Sequence, residues 1–316
     1  MPGPGLFLIA VVIVVAVAAG WAPRRGRQGG AAVADPMVRS AAVAARRRVL
    51  GATGCALAVL VLAGYVATLR PEWLGLPLAV GPAIATATGL LLYAATPPER
   101  LRAESNRRVA SLEPRAPWSF ASRRTLGLLV LVAVAQVSLL IGTGLTSSPD
   151  DAGRYRVVTY SSGGVSSTAS PYPGWFYGVP LMIVTVLLAV ATLVAFWRIA
   201  ATPSLPVEGL ATPDRRRRVD TTRIIAGLGL GGLLLQLGGT SAAAGSALGN
   251  VLDQPGAPGE WRLVAAALFW LGLVCAVASI VSVTVAVSRG VALKADLATG
   301  PVSTGGSTAA LPGAAE

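Results

Sequence analysis

The chain has 316 residues, of which 53% are hydrophobic and only 13% charged. Soluble globular proteins carry about 25% charged residues, so water is not the solvent for most of this sequence. The net charge of +12 is no footprint of nucleic acid in such a chain, because the cytoplasmic loops of membrane proteins collect basic residues anyway.

A hydrocarbon layer about 30 Å thick takes roughly 20 apolar residues of helix. Seven uncharged apolar runs meet or approach that length, at residues 6–22, 49–69, 74–96, 125–146, 176–197, 224–248 and 264–287. The expected fold is therefore all-α: a polytopic integral membrane protein of seven transmembrane helices, with a membrane domain over 1–298. The last residues, 299–316, are Gly, Ser, Ala and Pro with almost no large apolar side chain, the composition of a disordered tail.

The loops set the orientation. Segments 23–48, 97–124 and 198–223 hold seven, seven and six arginines, and Arg289 and Lys294 bring that side to 22 of the 26 basic residues. Arg70, Arg154, Arg156 and Arg262 lie on the other side. Such asymmetry places the arginine-rich side in the cytoplasm, the amino terminus outside and the carboxyl terminus inside. The first run also resembles a signal peptide at Ala16-Val17-Ala18. A signal needs positive charge before its apolar core, whereas here Arg24, Arg25 and Arg27 follow it, so a retained helix is expected. With arginine replacing lysine almost throughout, the composition points to a bacterial cytoplasmic (inner) membrane.

Between the fourth and fifth runs lies the longest outward connection, 147–175, rich in Ser, Gly and Thr. Arg154–Tyr160 reads as a short strand paired across Ser161–Gly164 with Val165–Ser170. Tyr172, Trp175 and Tyr177 suit the membrane interface. A flexible loop with aromatic anchors is the plainer expectation, and a lid over a ligand the other. Residues 100–124 suggest an amphipathic interfacial helix.

An internal repeat runs through the spans. The fourth begins Arg123-x-x-x-Gly127 and places Gln136 nine residues on, and the sixth begins Arg223-x-x-x-Gly227 and places Gln236 at the same interval. The second begins Arg47-x-x-x-Gly51. The third run ends Ala94-Ala95-Thr96-Pro97 and the fifth Ala200-Ala201-Thr202-Pro203, where proline stops a helix. The chain thus reads as one leading helix followed by three outward hairpins, a parallel repeat about an axis along the membrane normal.

Candidate sites are few. Gln136 and Gln236 fall near the midplane, roughly 20 Å along the axis from an interfacial arginine, where an amide needs a protein partner. Either they face a shared cavity and bind a polar solute, or they join helices, which is the expected role. Gly227-x-x-x-Gly231 and Gly245-x-x-x-Gly249 form small-residue ridges that permit close backbone approach. The sixth run should therefore pack centrally or form a contact between chains, homo- or hetero-oligomeric. Gly227, Gly229 and Gly232 spell G-x-G-x-x-G, but within an apolar helix and with no acid after them until Asp253, so this is no dinucleotide site. Arg215, Arg216, Arg217 and Arg218 can hold anionic lipid headgroups or simply fix topology, the latter being expected.

There is no histidine, and Cys55 and Cys275 both lie in apolar runs. No catalytic residue, metal ligand or cofactor is expected, and the chain reads as a non-enzyme. Ion-coupled transport usually leaves an acid or a histidine in the membrane, and the runs hold neither. The sequence leads us to expect a non-catalytic accessory, scaffold or regulatory membrane component. One alternative is a transporter or permease-like subunit for a small or lipidic solute. The other is an outward-facing sensor using the 147–175 loop.

Overall fold

The computed structural model describes residues 36–97, 116–162, 164–202, 211–254 and 258–296. The first run, most of the expected interfacial helix and the tail beyond 296 lie outside the described residues. Six helices carry the fold: α1 (Pro36–Leu69), α2 (Leu76–Ala95), α3 (Arg123–Leu145), α4 (Trp175–Ala201), α5 (Ala211–Leu252) and α6 (Gly259–Asp296). All six are long and apolar enough to cross a membrane. Among the described residues the chain is a multi-pass helical membrane protein.

Three of these helices outrun their apolar runs on the arginine-rich side. α5 has 42 residues, about 63 Å at 1.5 Å per residue, twice the hydrocarbon thickness. Arginines end the apolar stretch without ending the helix, because arginine is a good helix former. The basic segments just before α5's apolar run are therefore helical extensions. α3 starts at a true cap, where the Ser122 side chain accepts the backbone N–H of Thr125 at 3.1 Å, as an N-cap serine does.

α1 and α2 form a tight hairpin through a single 3-10 turn, Pro71–Trp73. Leu74 and Gly75 then adopt left-handed backbone, with φ of 52° and 78°. Glycine takes that conformation freely, whereas Leu74 is held in it by its neighbours: its carbonyl accepts the Tyr177 hydroxyl at 2.7 Å. α5 and α6 form the other close hairpin, while α4 packs on α2, α3 and α5 and α6 closes onto α1. The main core lies among α2, α4 and α5 around Leu90, Leu188, Phe196, Ile224 and Ile225. Of the apolar stretch of α5, 67% is buried inside the protein, against 17% for α3. α5 is the axis of the bundle, and α1, α3 and α6 leave most of their apolar length on its outside.

The α3–α4 connection is not a flexible loop. β1 (Ser148–Pro149), β2 (Tyr155–Ser162) and β3 (Val165–Ala169) form a three-stranded antiparallel sheet. β2 runs two residues further than the sequence suggests, because Ser161 pairs with Ser166 and Ser162 with Val165, and Gly164 at φ 81° makes the reversal. The sheet is pinned at both ends. Asp150 accepts the backbone N–H groups of Ala152 and Arg154 and the Nε–H groups of Arg154 and Arg156. That hydrogen bond from Arg156, with the others, holds the Asp150 carboxyl well below the usual carboxylate range. Val158 and Tyr172 pack against Ala244, Ala247 and Val251 at the end of α5, so the sheet sits on the helical bundle.

Candidate functional site

A cavity of about 530 Å³ lies between the hairpin end of the bundle and its middle. Its walls are α1, α2, α5 and α6, and residues 171–173 with Tyr177 and Leu181 close it from the α4 side. Two features of α5 create it. Gly238 lets the backbone come within packing distance of α6: a Cβ there would stand 2.9 Å from the Gly272 carbonyl. The next residue, Gly239, faces open space, with nothing within 4 Å of a Cβ built on it. Phe269 and Leu273 line the cavity and are also exposed, at 45% and 48%, so one wall lies at the lipid-facing surface.

The polar atoms of the lining are already engaged. Tyr177 donates its hydroxyl to Leu74, and Tyr172 shares a 2.6 Å hydrogen bond with Thr146. Burial pushes the Tyr172 phenol above its ordinary pKa, so it stays neutral. Thr240 Oγ1 accepts from Gln136 Nε2 at 3.1 Å and donates to the carbonyl of Gln236. The site thus presents carbon to its occupant. An apolar space of this kind gives water no partners, and protein interiors otherwise pack without voids.

Neither Gln136 nor Gln236 lines the cavity. Both are buried and their amides are spent between helices. Gln136 reaches Thr240, joining α3 to α5. Gln236 Nε2 donates to the Leu181 carbonyl at 2.9 Å and to Thr185 Oγ1 at 3.0 Å, joining α5 to α4. Interhelical hydrogen bonds of this sort contribute about 0.6–2 kcal/mol. Gln236 Oε1 has no partner among the described residues.

The glycine ridges divide. A Cβ on Gly231 would stand 2.5 Å from Val283, and one on Gly227 3.1 Å from Ala286. One on Gly245 would stand 2.5 Å from the backbone N of Phe269. Gly249, in contrast, meets nothing within 4 Å, so the expected second ridge uses only its first member. Gly231, Gly238 and Gly245 recur every seven residues, the repeat that keeps one seam facing one neighbouring helix. Ser279 and Ser282 of α6 donate across that seam to the carbonyls of Gly231 and Gly227, at 2.7 and 2.8 Å.

The arginine run also divides. Arg215 and Arg216 are exposed. Arg218, by contrast, is buried and turned inward: it pairs with Asp214 at 2.8 Å and donates to the carbonyls of Ile199 and Thr202 at 3.1 and 2.8 Å. Those carbonyls end α4, where the helix leaves acceptors unpaired and its dipole is negative. Arg218 is therefore a cap on a neighbouring helix and does not face lipid headgroups. Arg48 does the same for α2, donating Nη2–H to the Tyr93 carbonyl at 2.9 Å. Each Ala-Ala-Thr-Pro helix end thus receives an arginine from another helix, which the sequence motif alone did not disclose.

Neither protein-family models, curated proteins nor solved structures gave a match to this chain.

Proposed function

We propose that this is a non-catalytic membrane component that holds an apolar or lipidic molecule in the cavity beneath the sheet. The carrying observation is the cavity's chemistry: about 530 Å³ of space, walled by carbon, with its few hydroxyls spent on the protein. Such a lining selects an acyl or isoprenoid-like chain over a polar solute, since a polar group placed there would lose its hydration without gaining partners. The exposed wall at Phe269 and Leu273 gives a lateral route from the bilayer.

In this reading the arginine-rich helix ends lie in the cytoplasm and the sheet outside, by the charge asymmetry of the connectors. Residues 6–22 supply a seventh span, and the membrane is the bacterial inner membrane. The cavity then opens within the outer leaflet, and the sheet braced on α5 forms its outer cover. Carriage or presentation of a lipidic solute fits this arrangement, with any energy supplied by a partner.

Gly239 gives the test. It lines the cavity and has room for a side chain, so Gly239→Leu fills the space without a clash at Cβ. Replacing glycine within a helix stabilises by up to about 1 kcal/mol, so the variant should unfold no more easily than the wild type. A photoactivatable phospholipid with a diazirine in its acyl chain, mixed into proteoliposomes, should label residues 235–243 of the wild type. In Gly239→Leu that labelling should fall several-fold, while labelling of the lipid-facing Val130 and Leu131 persists. Equal labelling of both proteins at the cavity would overturn the reading.

A further inference from the structure

At the opposite end of the bundle, positive charge gathers with too little negative charge among the described residues to balance it. Arg48 of α1 stacks over the Tyr93 ring, with its Cζ 4.5 Å from the ring centroid. Arg198, in the last turn of α4, and Arg217 of α5 both lie within electrostatic reach of Arg48 and of Tyr93. The acid beside them is Asp214. Its Oδ2 is taken by Arg218, and its Oδ1 stands 3.7 Å from Arg217, too far for a hydrogen bond.

Capping explains part of this cluster but leaves the rest over. Arg48 spends one N–H on the α2 end and Arg218 is engaged at all three nitrogens, yet the Nε–H groups of Arg48 and Arg198 are buried without an acceptor among the described residues. A desolvated guanidinium donor is unfavourable unless it meets an acceptor, preferably an anionic one. Three like charges drawn together from three helices also repel unless a counter-ion joins them. The planar fork of arginine matches carboxylate and phosphate oxygens bidentately, and of the two a phosphate brings more charge and more acceptor oxygens to three guanidiniums.

We propose that Arg48, Arg198 and Arg217 form a binding site for a phosphate group at the arginine-rich end of the bundle. The site lies where the helices leave the apolar layer, so a phospholipid headgroup reaches it from the membrane and free phosphate reaches it from the cytosol. It is independent of the apolar cavity, which sits at the other end and takes a different chemistry.

The full chain in phosphatidylcholine nanodiscs provides the test, read as thermal unfolding against added phosphatidic acid, its uncharged diacylglycerol counterpart, or inorganic phosphate. Phosphatidic acid should stabilise and diacylglycerol should not. Stabilisation by inorganic phosphate instead would support the same site with a soluble source. In the double variant Arg198→Gln/Arg217→Gln the apparent affinity should fall about 25-fold, roughly fivefold for each charge removed near the surface. The exposed pair Arg215→Gln/Arg216→Gln should keep it. Should the first double variant not fold, wild-type binding at about 0.5 M salt decides, since exposed patches are screened there and a half-buried site is not. The proposal is overturned if neither anion stabilises the wild type. Loss of all binding at high salt, or equal binding by the two double variants, overturns it as well.

Discussion

Replacing Arg218 with alanine should destabilise the protein by about 3–5 kcal/mol, the cost of leaving one member of a buried ion pair uncompensated. The side chain is 6% exposed and its partner Asp214 8%, so water cannot take over either role. Alanine would leave the Asp214 carboxylate with only the looser 3.7 Å ion pair to Arg217 and return the carbonyls of Ile199 and Thr202 to an unpaired state at the end of α4. It would also remove the cation 5.7 Å from the Phe120 ring. Arg218→Lys should recover only part of the loss, because an ammonium on a single stem cannot reach the carboxylate and both carbonyls in the fixed geometry of a guanidinium. Arg215→Ala removes the same formal charge from an exposed position and should cost within about 0.5 kcal/mol. Denaturant unfolding of the three variants in one detergent measures the contrast. Were the run of four arginines purely a topology signal, Arg218→Ala and Arg215→Ala would behave alike.

The second large effect lies in the α5–α6 seam, where two glycines of one motif should respond with opposite signs. Gly245→Ala adds a single methyl carbon 2.5 Å from the Phe269 nitrogen and 2.6 Å from the Ala265 carbonyl. Both contacts are backbone, so relief requires the helices to separate. Overpacking of this kind costs about 1–3 kcal/mol, more than the gain of up to about 1 kcal/mol from helix propensity. A larger side chain, as in Gly245→Leu, should disrupt the hairpin. Gly249→Ala meets no neighbour within 4 Å and should keep the propensity gain. Thermal unfolding of the two alanine variants reads the sign directly. Destabilisation by both would mean that Gly249 is also packed.

These two sites show what the sequence conveyed and what it withheld. Apolar run length located the six described spans, because lipid imposes a length on any segment that crosses it. It fell short of the arginine-rich helix ends by about thirteen residues at α1 and α5, because hydropathy marks where lipid stops and not where backbone hydrogen bonding stops. The β-branched and aromatic residues of Arg154–Tyr160, followed by a small polar turn, signalled the β2–β3 pairing. Its docking on Ala244 and Ala247 was invisible, since it depends on a contact between distant segments.

The site was less legible than the fold. Gln136 and Gln236 stood out as polar side chains in apolar runs, and the matched spacing put both at the same expected depth. That Thr240, and not a second amide, joins them depends on helix rotation, which neither span reveals by itself. Gly238 and Gly239 are indistinguishable as letters, yet one is pressed against α6 and the other opens the cavity. Arg218 looked like its three neighbours because capping of another helix leaves no local pattern.

Sidedness is the premise shared by the cavity, the sheet that covers it and the phosphate site. With Cys55 and Cys275 replaced by alanine, a single cysteine at the exposed Ser161 or Arg216 can be probed in intact cells with a membrane-impermeant maleimide. We expect Ser161→Cys to react from outside and Arg216→Cys to react only after the membrane is permeabilised. Labelling of Arg216→Cys in intact cells, with Ser161→Cys protected, would invert the molecule and contradict the account.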